Sequence, residues 1–353
     1  MADSMSISMK KKEMRKSNME LLRIVAMFLV LVVHADFFSL GTPTQELCKS
    51  SPVFAWTQFF VQSIAVVCVN VFVLLSGWFS IRPKWKSFLG FMFQCFFFSI
   101  GIYFVCLCIG ISELSLKGVS SCFFLTEFYW FIVAYIGLYL FAPMVNAFIE
   151  SVDRVTLRKF LVCFFVFQTL FAWCSNGATF LLSGTNTISF IGLYGLARYV
   201  RLYPSKYTTL PAIVYFSLFF LMALISGTTI YFLTSWGGDF LIGRFYTYVS
   251  PIVIVSSLLL LLAFSRLNVT SKLINWIASS CFAVYLLHAN PNVVGYFCQV
   301  INKILRNREG VMVLVDLFVF LFAIFVISVL VDKIRIMLWK WISGFVLRKH
   351  DNI

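Results

Sequence analysis

The chain has 353 residues, of which 61% are hydrophobic and 12% are charged, and its mean hydropathy is +0.94. Soluble domains carry about 45–50% apolar and about 25% charged residues. The composition therefore excludes a soluble enzyme, a disordered chain and a disulfide-stapled secreted domain, and it indicates a polytopic membrane protein. The ten cysteines are scattered without C-x-x-C spacing, which argues against a metal site.

A membrane-spanning helix needs about 20 apolar residues. The sequence predicts ten such segments, at roughly 19–40, 57–80, 87–110, 127–149, 157–175, 186–204, 208–232, 242–264, 273–292 and 311–332. Only short loops remain between them, so we predict an all-α bundle of ten transmembrane helices that forms one domain over residues 1–353. Residues 1–18 form a basic tail, and residues 335–353 alternate basic and apolar side chains, as is typical of a helix in the membrane interface.

The net charge of +14 would suggest a nucleic-acid partner in a soluble protein. Here the basic residues lie between apolar runs, so we predict that they set the topology and that no nucleic acid binds. Ten spans with a cytoplasmic N-terminus place 21 of the 28 Lys and Arg residues inside and six outside, with Arg23 inside the first span. If the segment at 186–204 did not cross, the division would be 15 to 12. The positive-inside rule therefore favours ten spans with both ends cytoplasmic. An outer cluster of Lys303, Arg306 and Arg308 has no explanation beyond a solvated loop.

The N-terminal region also has the features of a signal peptide, with a basic stretch followed by an apolar run from Ile24 to Val33. Glu20 and Arg23 lie close to this run, and the apolar pattern continues beyond it through Phe37 and Phe38. We therefore expect a retained membrane helix.

Ionisable side chains inside the first helix are the clearest functional candidates, because such groups are costly in a membrane. Arg23 and His34 are eleven residues apart, which is three turns plus about 20°, so they share one helix face about 16 Å apart. Asp36 lies about 200° round the helix from His34 and cannot orient its imidazole. His288, in the ninth segment, is predicted to lie at a similar depth to His34. For both histidines the alternative is a helix–helix hydrogen bond.

Four further polar or aromatic residues could line a cavity between the helices. Asn70 lies in the second segment, and Glu127, Tyr129 and Trp130 lie at the outer start of the fourth. The alternatives are that Asn70 holds two helices together and that Tyr129 and Trp130 belong to an aromatic belt.

Four sequence stretches together resemble the acyltransferase-3 family of membrane acyltransferases. The first is Glu20–Met27 continuing to His34, which contains the family's Arg, ten residues, then His. The others are Val69–Gly77, Tyr129–Ile132 and Ala283–His288. The resemblance implies ten core helices in a bacterial inner membrane. It also implies transfer of an acyl group, usually acetyl from acetyl-CoA, to a hydroxyl of a surface polysaccharide or its lipid-linked precursor.

The resemblance makes His34 the expected general base, since an imidazole with a pKa near 6.5 can accept the proton of a sugar hydroxyl. Arg23 would hold the polar part of the donor or pair with Glu20 at the i, i+3 spacing. Asn70, Glu127, Tyr129, Trp130 and His288 are the expected substrate residues. No permanently bound cofactor or metal is expected.

The donor, acyl-CoA, carries phosphates and needs cations at the inner face. Arg82, Lys84 and Lys86 follow the second helix, and Arg198 and Arg201 share that face. A guanidinium suits bidentate phosphate contact. The alternative is that the positive-inside rule alone placed these five residues there.

Two functions of other classes remain open on the sequence. A carrier or flippase for a lipid-linked sugar would also need ten helices and buried polar groups, but the sequence lacks Gly- or Pro-interrupted helices at matching positions in two halves. A structural or sensory subunit of an envelope assembly is the third option.

The ten-span topology makes a prediction that is independent of the family resemblance. Reporter fusions should place the loop near Asn176 outside and the loop near Lys206 inside, because the segment between them crosses the membrane. Finding both fusions on one side would contradict ten spans.

Overall fold

The computed structural model describes residues 16–124, 129–175, 177–238, 241–307 and 311–348, which are helical and contain no β-strand. The α-helices are α1 (Asn18–Val33), α2 (Gln45–Ser50), α3 (Pro52–Ala65), α4 (Cys68–Phe79), α5 (Trp85–Cys108), α6 (Leu116–Cys122), α7 (Trp130–Ser151), α8 (Arg154–Gln168), α9 (Thr187–Leu202), α10 (Ala212–Ser235), α11 (Ile242–Phe245), α12 (Pro251–Ser265), α13 (Lys272–Ala278), α14 (Phe282–His288), α15 (Val294–Asn307) and α16 (Val311–Arg348). Turns of π-helix, His34–Phe38 and Thr169–Cys174, extend α1 and α8, and Thr179–Gly184 is a 3₁₀-helix. The all-α prediction is confirmed.

Within the described ranges, seven helical stretches are long and apolar enough to cross a membrane. They are Asn18–Phe38, Pro52–Phe79, Trp85–Cys108, Trp130–Ser151, Arg154–Cys174, Ala212–Ser235 and Met312–Gly344, and they match seven of the predicted segments. The other three correspond to shorter helices: α9, then α11 with α12, then α13 with α14. Ten spans and cytoplasmic ends therefore stay predictions.

The predicted segment at 273–292 is interrupted between α13 and α14, at residues 279–281. No Gly or Pro lies at this break, so a helix of this chain can be interrupted without either residue. The lack of Gly- or Pro-interrupted segments in the sequence therefore does not count against a carrier. Non-helical backbone at membrane depth is tolerated where it lines a cavity. Ser279 and Cys281 do line one.

Helix α1 contacts six other α-helices, which are α3, α4, α12, α13, α14 and α16. Its apolar residues Leu22, Ala26, Met27 and Leu31 are buried, which fixes the rotation of the helix about its own axis. That rotation sets the direction in which Arg23 and His34 point.

Small residues bring α4 and α9 close together. A Cβ atom added to Gly77 would lie 2.9 Å from the Cβ of Ala197, so glycine is needed at this crossing. The close approach places the end of α4 beside Tyr194, whose hydroxyl accepts a hydrogen bond from the Ile81 amide at 3.0 Å.

The last helix, α16, runs without a break for 38 residues, or about 57 Å, compared with about 30 Å of hydrocarbon. Residues 335–348 therefore continue this helix and do not form a separate element. Arg335 is not part of an exposed basic face, because it is buried against Asp332 with N–O distances of 2.7–2.9 Å. Gln94 of α5 donates a further bond to Asp332, at 2.9 Å. Lipid-interface binding by the rest of the tail stays a prediction.

The buried Asp332–Arg335 pair predicts a large effect of removing one partner. Asp332→Ala leaves the Arg335 guanidinium buried without its carboxylate, so we expect a loss of about 3–5 kcal/mol in unfolding free energy. Denaturant unfolding in detergent would measure it. The double variant Asp332→Leu/Arg335→Met, which removes both charges, should be more stable than Asp332→Ala. Equal stability of Asp332→Ala and the wild type would contradict the role of the pair.

Candidate active site

The backbone changes from α-helix to π-helix at His34. Turns of π-helix occur frequently at functional sites. Here the wide turn is supported by Ser39, whose Oγ lies 2.6 Å from the carbonyl oxygen of His34. His34 is partly buried as a residue, and its side chain lines a cavity inside the bundle.

The rings of His34 and His288 are in direct contact. The His34 Nδ1 lies 2.8 Å from the His288 Nε2. His288 is fully buried, and its Nδ1 lies 2.5 Å from the carbonyl oxygen of Val284, one turn earlier in α14. Two histidines predicted to lie at similar depth thus form one hydrogen-bonded chain with a backbone carbonyl.

This chain assigns the tautomers of both rings. A carbonyl oxygen only accepts hydrogen bonds, so the proton between His288 and Val284 belongs to the His288 Nδ1. The Nε2 of a neutral His288 is then an acceptor, and the His34 Nδ1 must donate to it. The His34 Nε2 is left with a free lone pair, which is the state that a general base requires.

His34 lines a small cavity of about 70 Å³, roughly the volume of two water molecules. The remaining lining residues, mostly aromatic or aliphatic, are Met27, Val30, Val33, Cys68, Val69, Phe72, Trp130, Phe131, Tyr248, Phe282 and Tyr285. Trp130, which the sequence suggested could line a cavity, is among the residues that line this one together with His34.

A second cavity, of about 370 Å³, lies around Arg23 and shares Phe72, Phe131 and Phe282 with the His34 cavity. We call these three residues the aromatic wall. The Arg23 guanidinium pairs with Glu20, as the i, i+3 spacing predicted. The polar side chains around the second cavity are those of Arg23, Ser76, Ser80, Gln94, Tyr135 and Ser279.

A third cavity, of about 330 Å³, is lined by Lys16, Glu20, Arg201 and Trp78 among others, and it shares Phe79 with the Arg23 cavity. The Arg201 guanidinium lies 4.7 Å from the centre of a Trp78 ring. Each cavity thus shares lining residues with the next, and the three follow one another from Lys16 and Arg201 to His34.

The other predicted donor-binding cations do not line these cavities. Arg82, Lys84 and Lys86 are exposed. Arg82 and Lys84 lie between α4 and α5, and Lys86 lies in the first turn of α5. The Lys84 amide donates a hydrogen bond of 3.0 Å to the Tyr139 hydroxyl. Arg198 is mostly buried and forms an ion pair with Glu150 at 3.9 Å.

Two predicted substrate residues support the His34 cavity from behind. Asn70 is fully buried and donates a hydrogen bond of 3.0 Å to the backbone carbonyl of Tyr248. Tyr129 is buried, with its ring 6.4 Å from that of Tyr285, which lines the cavity. Glu127 lies outside the described residues.

Asp36 points away from His34, as predicted. Its carboxylate accepts a hydrogen bond of 2.8 Å from Gln58 of α3. The described residues contain no group of three or more His, Cys, Asp or Glu side chains that could hold a metal ion.

Sequence reasoning missed three tyrosines at the site: Tyr135, Tyr248 and Tyr285. Hydropathy cannot separate them from the other eleven tyrosines of the chain. Tyr285 had a usable signal, because it lies three residues before His288 and therefore on the same helix face.

The assigned tautomers can be tested directly, since the chain contains only three histidines, His34, His288 and His350. In ¹⁵N-histidine NMR spectra at neutral pH, His34 and His288 should both carry their proton on Nδ1, and His350→Gln removes the third signal. A proton on the His34 Nε2 would contradict the assignment.

No curated protein and no solved structure matches the chain. A family model described as an acyltransferase domain matches residues 16–333, and this range contains Arg23, His34 and His288. The chain therefore belongs to the acyltransferase-3 family of membrane acyltransferases.

Proposed function

We propose that the protein is an O-acetyltransferase of a bacterial inner membrane. It transfers an acetyl group from acetyl-CoA to a hydroxyl of a surface polysaccharide or of its lipid-linked precursor. The observation that carries the proposal is the Val284–His288–His34 hydrogen-bond chain, because it leaves the His34 Nε2 unprotonated beside a cavity. The family match supports acyl transfer in general.

The reaction needs one proton acceptor and later one proton donor, and His34 can serve as both. The sugar hydroxyl loses its proton to the His34 Nε2 while its oxygen bonds to the thioester carbonyl carbon. The C–S bond then breaks, and the sulfur of CoA takes the proton from His34. During the step the imidazolium keeps its Nδ1–H bond to the His288 Nε2, so the new charge is stabilised inside the protein.

The series of cavities fits acetyl-CoA as the donor. Its phosphates would lie near Arg201 and Lys16, since guanidinium and ammonium groups bind phosphate. Its extended arm would pass Arg23. Arg82, Lys84 and Lys86 do not line this path, so their proposed contribution is longer-range attraction of the anionic donor. Arg198 is paired with Glu150 and is given no part in donor binding.

The size of the His34 cavity favours a short acyl group. A space of about 70 Å³ holds roughly two water molecules, which suits the three heavy atoms of an acetyl group. Trp130 and Tyr248 would contact that group, and Asn70 would hold the Tyr248 backbone in place. His288, a predicted substrate residue, is instead proposed to position His34.

A carrier or flippase for a lipid-linked sugar remains the alternative, and the interrupted helices α13 and α14 are compatible with it. A carrier needs no general base, however, and membership of an acyltransferase family favours the enzyme.

The central prediction concerns His34. Because a general base contributes about 10²–10⁴-fold in rate, His34→Ala and His34→Gln should each lose acetyl transfer by that factor. His288→Gln should keep more activity than His288→Ala, since its amide oxygen can accept the bond from the His34 Nδ1. The measurement is transfer of labelled acetyl from acetyl-CoA to surface glycan, in membranes with matched expression of folded protein.

The donor-side control is Arg201→Gln. It should raise the KM for acetyl-CoA with kcat near the wild-type value, whereas the His34 variants lower kcat. A folded His34→Ala protein with activity within a few-fold of wild type would exclude the base assignment and favour the carrier.

A further inference from the structure

Helix α15 has two chemically different faces. Val294, Phe297 and Ile301 are buried in the core, with the Phe297 ring 5.3 Å from the His288 ring. The opposite face borders an open surface groove of about 580 Å³, and the described residues that line it all belong to α15 itself. Among the described residues, the groove is lined by Cys298, Gln299, Asn302, Lys303, Arg306 and Asn307, and we call it the α15 groove.

The α15 groove carries two cations and no carboxylate among its described lining residues. Lys303 and Arg306 are exposed and lie at the i, i+3 spacing, so they project from one side of the helix. Neither has an ion-pair partner within the described residues. The predicted topology places them outside, where the positive-inside rule does not account for basic residues.

The groove begins beside the end of the first helix. Asn302 donates a hydrogen bond of 3.2 Å to the backbone carbonyl of Ser39. The Ser39 hydroxyl lies 3.3 Å from the Cys298 Sγ and 2.6 Å from the His34 carbonyl oxygen. The groove thus adjoins the turn that follows His34, whereas Arg23 precedes His34 by eleven residues. Along the chain, the α15 groove therefore lies on the C-terminal side of His34, and Arg23 lies on its N-terminal side.

We propose that the α15 groove binds the acceptor, and that the acceptor is a glycan carrying an anionic group, either a carboxylate or a phosphate. The inference rests on the proposed function and names its acceptor class. Arg306 suits bidentate contact with either anion, and Lys303 adds a second positive charge. The amides of Gln299 and Asn307 can both donate to and accept from sugar hydroxyls. Donor and acceptor then approach His34 from opposite ends of α1.

The test uses the full chain in nanodiscs of phosphatidylcholine, which has no net charge, and three labelled probes. The first is a hexasaccharide of alternating glucuronate and N-acetylglucosamine, the second is its neutral carboxyl-reduced form, and the third is an oligo(glycerol phosphate). We expect at least one anionic probe to bind more tightly than the neutral one. Lys303→Gln/Arg306→Gln should weaken that binding by at least about tenfold, since two charge-assisted contacts are lost.

The matched control is Lys49→Gln/Lys117→Gln, which removes two exposed cations predicted to lie on the same side of the membrane. It should leave binding unchanged. Preference for the glucuronate probe identifies a carboxylate ligand, and preference for the glycerol phosphate probe identifies a phosphate ligand.

Three results would overturn the inference. The first is anionic probes that bind no better than the neutral one. The second is equal effects of the groove variant and its control. The third is a groove variant that changes only the binding of vesicles containing phosphatidylglycerol, which would make the groove a lipid contact. Acetyl-CoA binding by the same preparations reports separately on the proposed function and should be unchanged in the groove variant.

Discussion

A chain of two hydrogen bonds inside the bundle, from the Val284 carbonyl through His288 to His34, determines what the site can do. Each link is obligatory, because an unpaired polar group in a low-dielectric interior costs free energy. The Val284 carbonyl can only accept, so it determines which atom donates in each of the two hydrogen bonds. A feature of the main chain in a seven-residue helix thus decides which nitrogen of His34 is free. The reactivity of the site depends on where α14 lies, and α14 packs against α1, α5 and α16.

Helix α1 connects the parts of the proposed site. Its buried apolar stripe fixes its rotation, and one face then presents Arg23 to the middle cavity and His34 to the small one. The π-helical turn after Val33 places Ser39 against Cys298 of α15. A single helix therefore sets the spacing between the Arg23 cavity, His34 and the α15 groove.

The sequence predicted those features that depend on periodicity and hydropathy. These include the all-helical bundle, seven of the ten predicted membrane-spanning segments, and the divergence of Asp36 from His34. It could not predict the contact between His34 and His288, which are 254 residues apart. Because the helix is broken at residues 279–281, the side-chain directions in α14 do not follow from those in α13. The rotation of about 100° per residue in a continuous helix therefore cannot be used to predict where His288 points. Ser and Cys are not helix breakers, and composition gave no warning.

The placement of cations was also beyond sequence reasoning. Arg198 and Arg201 lie three residues apart on α9, yet Arg201 lines a cavity and Arg198 pairs with Glu150. The positive-inside rule counts both equally, because it concerns the side of the membrane and not the neighbouring helices. Only tertiary packing separates them.

The aromatic wall of Phe72, Phe131 and Phe282 has a consequence for the membrane as an electrical barrier. A protein with cavities along one central helix risks becoming a leak for protons and ions. The Phe131 and Phe282 rings lie 6.2 Å apart, and those of Phe72 and Phe131 lie 6.3 Å apart. Apolar constrictions of this kind exclude hydrated ions by dewetting. In a membrane, this layer would keep hydrated ions from passing between the Arg23 cavity and the His34 cavity, and its rings would have to move for a donor's arm to pass from one cavity to the other.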